Sequence, residues 1–519
     1  MRHVRDFAAA ALLLLLELVL YRKILRLWWV YDDSSLFRII LETRPLEAWT
    51  SARVWPQQLF TPLMMSAFEA QYALFGLDAH RWYIVFLAII AITSIAIYAA
   101  ARQYLEVPYA LAGTTLFLLG TPLCSLVTQL STVHYFIALT FGSLALIAWS
   151  KRLDALSAVL FFVAILAKEI IVPLPLLLLF LPPRRELRRL ITHAIALVVY
   201  FAWRRAVIGT FLGAYSWIIG RDEWPRLALL LPWKVIKAAA GPHLAIGLVL
   251  LAVMAIVIAA RIRNYPLLLV ALAVAIGPIL PVSKDLHPRY IVAFWLAWSF
   301  AFAAARPHWA FLVAVPLLAI VVNRQEWGKE IVLRQRMSAE AEFYLQMASD
   351  DLLRLPATPP PVMREWNVIK THLGMPPSGP YFYDDFYLCV NDVSGRDVWE
   401  YDPRQRIIIN VSARIPTIAK NHCSSMRNAA PLSARFHFGH SEMHWDFGPY
   451  ASGRYSILLG DGHEAWVMPR QDALNLPVVH ALAVRVRYES PQGWTTYSPV
   501  IEIDDQRKCD VAWRRGTDK

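Results

Sequence analysis

From Ala8 to about Gln325, long apolar runs alternate with short polar breaks. A helix needs roughly 20 apolar residues to cross a bilayer. Runs of that kind begin near Ala8, Trp82, Pro108, Val133, Ala155, Ile170, Leu190, Leu244, Pro266, Tyr290 and His308, predicting about eleven spans. The stretch Ala155–Leu181 reads either as one long helix or as two short ones divided at Lys168-Glu169. Beyond Gln325, Glu326–Asp351 mixes charged and apolar residues in a helical rhythm, as in an amphipathic helix lying against a membrane. Leu355–Val362, with Thr358-Pro359-Pro360-Pro361, reads as a linker. Short alternating runs follow at Tyr381–Val390, Arg406–Ser412, Ala434–Phe438, Tyr455–Leu459 and Ala481–Tyr488, with turns such as Gly460-Asp461-Gly462 between them. The expected fold is mainly α: a polytopic helix bundle over 1–324, an amphipathic helix and linker over 325–362, and an extracytoplasmic β-sandwich-like domain over 363–519.

Composition agrees with that pattern. The 519 residues are 57% hydrophobic and 17% charged, with mean hydropathy +0.42, which excludes an ordinary soluble enzyme. The net charge of +12 is not a nucleic-acid footprint, because no basic-aromatic module accompanies it. The basic residues cluster between apolar runs: Arg2 and Arg5, Arg102, Lys151-Arg152, Arg184-Arg185 with Arg188-Arg189, Arg261 and Arg263, and Arg306. With a cytoplasmic N-terminus and eleven spans, all of them fall on the positive-inside face. Tyr31–Arg81, Gly120–Thr132, Gly209–Pro242 and Val282–Pro288 then face outward. The apolar run Phe7–Leu20 meets Tyr21-Arg22-Lys23 and Trp28-Trp29 rather than a small-residue cleavage site, so it reads as an uncleaved first helix. Glu17 within it reads first as a packing residue. Compact loops and the lack of a retrieval signal favour a bacterial inner membrane.

Cys389, Cys423 and Cys509 lie in the β-rich region and Cys124 at the outer end of a span. A disulfide between two of the three is expected in an oxidising compartment, with the pairing open. Asn410-Val411-Ser412 matches a glycosylation sequon but falls in an expected strand.

Asp32-Asp33, at the outer end of the first span, are the leading candidates for chemistry. Trp28, Trp29 and Tyr31 set them at interface depth. Semi-apolar surroundings and a neighbouring acid raise a carboxyl pKa, which prepares a general base for an alcohol or amine acceptor. The plain alternative is a pair of solvated helix caps. Lys168-Glu169, at the outer end of a span, offer a cation to a phosphate leaving group, or else a helix-end ion pair. Ser283-Lys284-Asp285-Leu286-His287-Pro288-Arg289-Tyr290 breaks the positive-inside pattern, so an anion is its expected partner. Arg289 can grip a phosphate with two donors and Lys284 can act as a point charge, while His287 and Tyr290 flank them. Lipid-headgroup contact by these long side chains is the alternative. His134 is a candidate hydrogen-bonding residue, or else a satisfied structural histidine. His437, His440, Glu442 and His444 invite a metal reading, and Asp384-Asp385 read as a turn end. Neither a phosphate-binding glycine loop nor a nucleophile elbow occurs.

Taken in order, Asp32-Asp33 after the first span, Phe60-Thr61-Pro62-Leu63, Tyr72-Ala73-Leu74-Phe75-Gly76-Leu77-Asp78-Ala79-His80-Arg81-Trp82-Tyr83 leading into the second span, and Ala167-Lys168-Glu169 resemble the integral-membrane glycosyltransferases of the GT-C type. Those include protein O-mannosyltransferases and bacterial lipid A aminoarabinose transferases. The resemblance covers roughly residues 1–325. It implies inverting transfer of a sugar from a polyprenyl-phosphate carrier to a glycan, lipid or protein acceptor on the outer face. It also implies that a first-loop acid, Asp32 or Asp33, is the base. Thr61 stands where the family often has arginine, and Arg44-Pro45-Leu46 lies at a different distance from the acids. No cofactor is expected, with room left for a divalent cation at the phosphate. Two other function classes fit a chain of this kind: a transporter or flippase of lipid-linked glycans, and a membrane-anchored binding scaffold.

Overall fold

The computed structural model describes residues 2–55, 58–181, 186–211, 224–262, 264–283, 286–426, 432–438, 442–459, 462–468, 470–475, 482–503 and 510–511. The chain divides into two compact units, Met1–Gln335 and Arg336–Lys519.

The first unit is helical. Its first helix, α1 (Arg2–Tyr21), leads through a 3-10 turn to α2 (Asp32–Glu42), which lies in the loop expected to face outward. Two more helices follow, α3 (Pro62–Phe75) and α4 (Ala79–Ala101). Pro62 takes the first position of α3, where its missing N–H has no intrahelical partner to lose. Gly76 ends α3 at φ 54°, a conformation that suits glycine. An aromatic block locks these elements together: the Trp29 ring meets Phe37 at 4.1 Å and Trp82 at 4.7 Å, and Phe68 meets Trp82 at 5.1 Å. All four side chains are buried, and each such edge-to-face pair contributes about 0.5–1.5 kcal/mol beyond burial. α2 therefore sits on a rigid base.

The remaining helices are α5 (Val107–Leu118), α6 (Thr121–Leu126), α7 (Val133–Ser150), α8 (Asp154–Ala167), α9 (Leu174–Leu178), α10 (Ile191–Ile208), α11 (Trp224–Ala240), α12 (Leu244–Arg261), α13 (Tyr265–Ile276), α14 (Val292–Ala304) and α15 (Trp309–Gln346). Among the described residues six helices are long and apolar enough to cross a membrane, not eleven. The shortfall has a geometric reason. α5 and α8 contain 12 and 14 residues, about 18–21 Å of helix against a hydrocarbon core of about 30 Å. Ala155–Leu181 takes the two-helix form: α8 stops at Ala167, Lys168 is extended (φ −158°, ψ 134°), and α9 starts only after a 3-10 turn. The expected outer loop Gly209–Pro242 contains α11, and its residues 212–223 lie outside the described ones. The amphipathic helix expected from Glu326 is not a separate element, because α15 runs 38 residues with no break at Gln325.

In the second unit Thr358-Pro359-Pro360-Pro361 is a helix start, not a linker. Pro360 opens α16 (Pro360–His372). The fully buried carboxylate of Glu340 accepts the backbone N–H groups of Ala357 and Thr358, at 2.8 Å each, and the Thr358 hydroxyl at 2.8 Å. A small sheet has the order β2-β1-β3-β4, formed by β1 (Leu352–Arg354), β2 (Tyr381–Phe382), β3 (Val398–Asp402) and β4 (Ile407–Asn410). β1 is parallel to both β2 and β3, with α16 as the crossover helix. Tyr381–Val390, expected as one strand, is β2 followed by the short helix α17 (Tyr387–Val390). Asp384 and Asp385 between them are ion-paired: Asp384 with Arg487 at 2.8 Å, and Asp385 with Arg354 at 2.6 Å.

Two antiparallel sheets complete the unit. One is built on β7 (Arg454–Leu459) and β10 (Leu482–Glu489), the other on β5 (Ser433–Phe438) and β6 (Glu442–Gly448). Phe436, Trp445, Phe447, Tyr455, Ile457 and Val486 from both sheets share one core, as in a sandwich. Cys389 in α17 is bonded to Cys423 in α18 (Ile415–Ser425), Cys124 is free and buried, and Cys509 lies outside the described residues. The disulfide closes a loop of 34 residues. Replacing both cysteines by serine in the full chain should destabilise the second unit by about 2–4 kcal/mol. Pulse proteolysis in urea checks this, as an earlier loss of the protected fragment beyond Arg336.

Candidate functional site

In the first unit a cavity of about 800 Å³ is lined by α2, the start of α7, the break between α8 and α9, α10, α13 and the turn Pro288–Ile291. Asp32, His134, Lys168, Glu169, Arg289 and Tyr290 all face it. Sequence reasoning had named these six. Asp33 does not line it.

The two adjacent acids differ completely in environment. Successive residues of a helix point about 100° apart, so the start of α2 sends one carboxylate inward and the other outward. Asp33 is fully buried. Its carboxylate accepts backbone N–H groups from Val30 at 3.1 Å, Leu130 at 3.4 Å and Ser131 at 2.7 Å. The Asp33 N–H is returned to the Val30 carbonyl at 3.2 Å, a reciprocal pattern like a capping box. Burial pushes the Asp33 carboxyl up to about 7, against the lowering effect of those N–H donors. The semi-apolar setting expected of a base therefore surrounds the acid that is turned away from the cavity. Asp32 keeps 61% of its side chain exposed, accepts the Gln129 amide N–H at 3.1 Å and stands 3.6 Å from the Arg289 guanidinium.

Three cations and two carboxylates line the cavity among the described residues, leaving one positive charge uncompensated. Arg289 donates to the Gln129 carbonyl oxygen at 3.1 Å and to the Tyr290 hydroxyl at 3.3 Å. Lys168, buried at the end of α8, lies 3.7 Å from Glu169 and over the Tyr135 ring at 5.0 Å. Glu169 in turn accepts from Arg204 of α10 at 2.8 Å, and Arg204 also donates to the Gln58 carbonyl at 2.9 Å. His134 donates from Nδ1 to the Ser131 carbonyl at 2.6 Å, since a carbonyl can only accept.

Other expectations fall elsewhere. His287 packs its ring near Tyr290, at 5.9 Å, and does not line the cavity. Lys284 lies outside the described residues. Arg44 does not face the cavity, and Thr61 does. Of the proposed metal set, His440 is outside the described residues, as are the side chains of His437 and Glu442, while His444 is exposed. Gln129 and Arg204 were missed. Nothing local marks Gln129, a lone amide between Thr128 and Leu130. Arg204 sits in a basic Arg204-Arg205 pair that reads as a helix end, yet it is almost fully buried. No family model, curated protein or solved structure matches the chain, so function is argued from this geometry.

A carboxyl whose pKa rises on folding favours the native state at low pH and loses that advantage as pH climbs toward the folded value. For Asp33 the window runs from about pH 4 to about pH 7, and the change is on the order of 4 kcal/mol. Thermal unfolding of wild type against Asp33→Asn at several pH values should show the wild-type advantage shrinking across that window. A difference that stays flat with pH would contradict the assignment.

Proposed function

We propose that this chain is a polytopic membrane glycosyltransferase of GT-C type, moving a sugar from a polyprenyl-phosphate carrier to an acceptor on the outer face of the membrane. The observation that carries the reading is that Asp32, Arg289 and Lys168, distant in sequence, line one cavity. In this reading Asp32 takes the proton of the acceptor hydroxyl. The acceptor oxygen attacks the anomeric carbon, the bond from that carbon to the phosphate oxygen breaks, and configuration inverts. The carrier phosphate leaves with one more negative charge, which Arg289 and Lys168 stabilise. Arg204 does not need to touch the phosphate. By holding Glu169, it leaves the Lys168 charge less neutralised than a simple Lys-Glu pair would.

The charge count supports a monophosphate carrier. A phosphodiester brings one negative charge, which balances the single excess positive charge of the lining. Apolar residues of α9 and α13, such as Leu176, Val270 and Val274, offer a wall for the hydrocarbon chain. The disulfide supports an oxidising compartment for the second unit, in keeping with an N-terminus inside and a bacterial inner membrane. Spans beyond the six long apolar helices, including α1, belong to this proposal as well.

The test is transfer by the full-length protein in liposomes, given radiolabelled polyprenyl-phosphate hexoses and pentoses. Asp32→Asn should lower turnover by about 10²–10⁴-fold, the usual contribution of a general base. Arg289→Lys keeps the charge but not the two-pronged geometry and should act mainly on donor KM. Full turnover in Asp32→Asn rejects the mechanism. No turnover with any donor, alongside retained binding of lipid-linked glycan, favours transport or scaffolding instead.

A further inference from the structure

Tyr31, the residue before Asp32, has φ 49° and ψ −125°. That region is normally open only to glycine, so a side chain there is strained. Such a conformation persists only where its surroundings hold it. On one side Val30 and Asp33 exchange backbone and carboxylate hydrogen bonds, and the Tyr31 carbonyl accepts the Ser34 hydroxyl at 3.0 Å. On the other side the Tyr31 ring carries the Arg334 guanidinium at 4.0 Å. Arg334 is buried, and its plane is fixed by Glu330 one turn earlier on α15, whose Oε1 accepts from Nε at 2.7 Å and lies 2.5 Å from Nη2. The same oxygen lies 3.4 Å from the Thr128 hydroxyl. Thr128 precedes Gln129, and Gln129 is the hydrogen-bond partner of Asp32.

Two chain segments therefore meet at the cavity through Asp32 and Gln129, and the residue just before each is touched by one Arg334–Glu330 pair. We propose that Arg334 and Glu330 are positioning residues: they hold the Tyr31 kink, and through it the direction in which Asp32 enters the cavity. A planar guanidinium stacked on a ring and paired along its edge cannot be replaced by an ammonium. The inference rests on the reading of Asp32 as the base.

The experiment uses the full-length protein in nanodiscs with Arg334→Ala, Arg334→Lys, Tyr31→Phe and Tyr31→Ala. Two readouts are taken: kcat and KM for the polyprenyl-phosphate sugar, and the pH dependence of carbodiimide modification of Asp32, located by peptide mass spectrometry. Tyr31→Phe keeps the ring and should stay within about twofold of wild type, a loss far below that of a misplaced group. Arg334→Ala and Tyr31→Ala, which removes the ring but keeps the strained backbone, should each lower kcat by about 10–100-fold with little change in KM, the cost of roughly 1 Å of misplacement. Both should shift the Asp32 modification profile, and Arg334→Lys should recover only part of the loss. Wild-type kcat and an unmoved modification profile in Arg334→Lys overturn the proposal, as does a parallel loss of kcat, KM and thermal stability in every variant. If Arg334→Ala does not fold, the Tyr31→Phe and Tyr31→Ala pair decides on the same terms. If no donor turns over, the modification profile decides. Loss of turnover in Asp32→Asn with none in Arg334→Ala sinks this inference alone. Unchanged turnover in Asp32→Asn sinks the base assignment and this inference with it.

Discussion

The buried carboxylate of Asp33, accepting N–H groups from Val30, Leu130 and Ser131, ties the start of α2 to the turn before α7. A carboxylate in this position replaces water for three backbone donors at once. Remove it and those N–H groups lose their acceptors in a dry environment, which is costly for each of them. The aromatic block of Trp29, Phe37, Phe68 and Trp82 supports the same segment from beneath. Together they fix a frame beside the cavity on which Gln129 donates to Asp32.

Electrostatic balance within the cavity follows from the order of its ion pairs. Glu169 is shared between Arg204 at 2.8 Å and Lys168 at 3.7 Å, and Asp32 faces Arg289 at 3.6 Å. The Arg204–Glu169 pair is the best formed of the three, so Arg289 and Lys168 are the two cations held more loosely. Buried charges of this kind are retained only when they are paired or used.

Much of this was legible in the chain. The apolar rhythm marks α4, α7, α10 and α12 with little error, because their composition and length agree. The adjacent acids that follow the first apolar run, the Lys168-Glu169 break and the Arg289-Tyr290 pair all stand out as charge in the wrong place for a bilayer. What the pattern could not supply was three-dimensional neighbourhood. Asp32 and Asp33 are equivalent in sequence, and only the rotation of α2 separates a buried clamp from a cavity residue. Gln129 and Arg204 carry no local signal, since their partners lie 97 and 35 residues away. The Pro-rich segment misled because three prolines look like a hinge, when one of them starts a helix and Glu340 pins the residues before it.

The extended backbone at Lys168 has a consequence for the contents of the cavity. Peptide groups that leave a helix among apolar neighbours must find partners in protein or water. Here the 3-10 turn satisfies some of them, at Ile171 and Val172, and the rest of the break opens onto the hollow that Asp32 also faces. The break therefore gives the cavity a stretch of polar backbone that water can solvate. For a transferase working there, water becomes a standing rival nucleophile, and faithful transfer depends on the acceptor displacing it before the sugar is lost to hydrolysis.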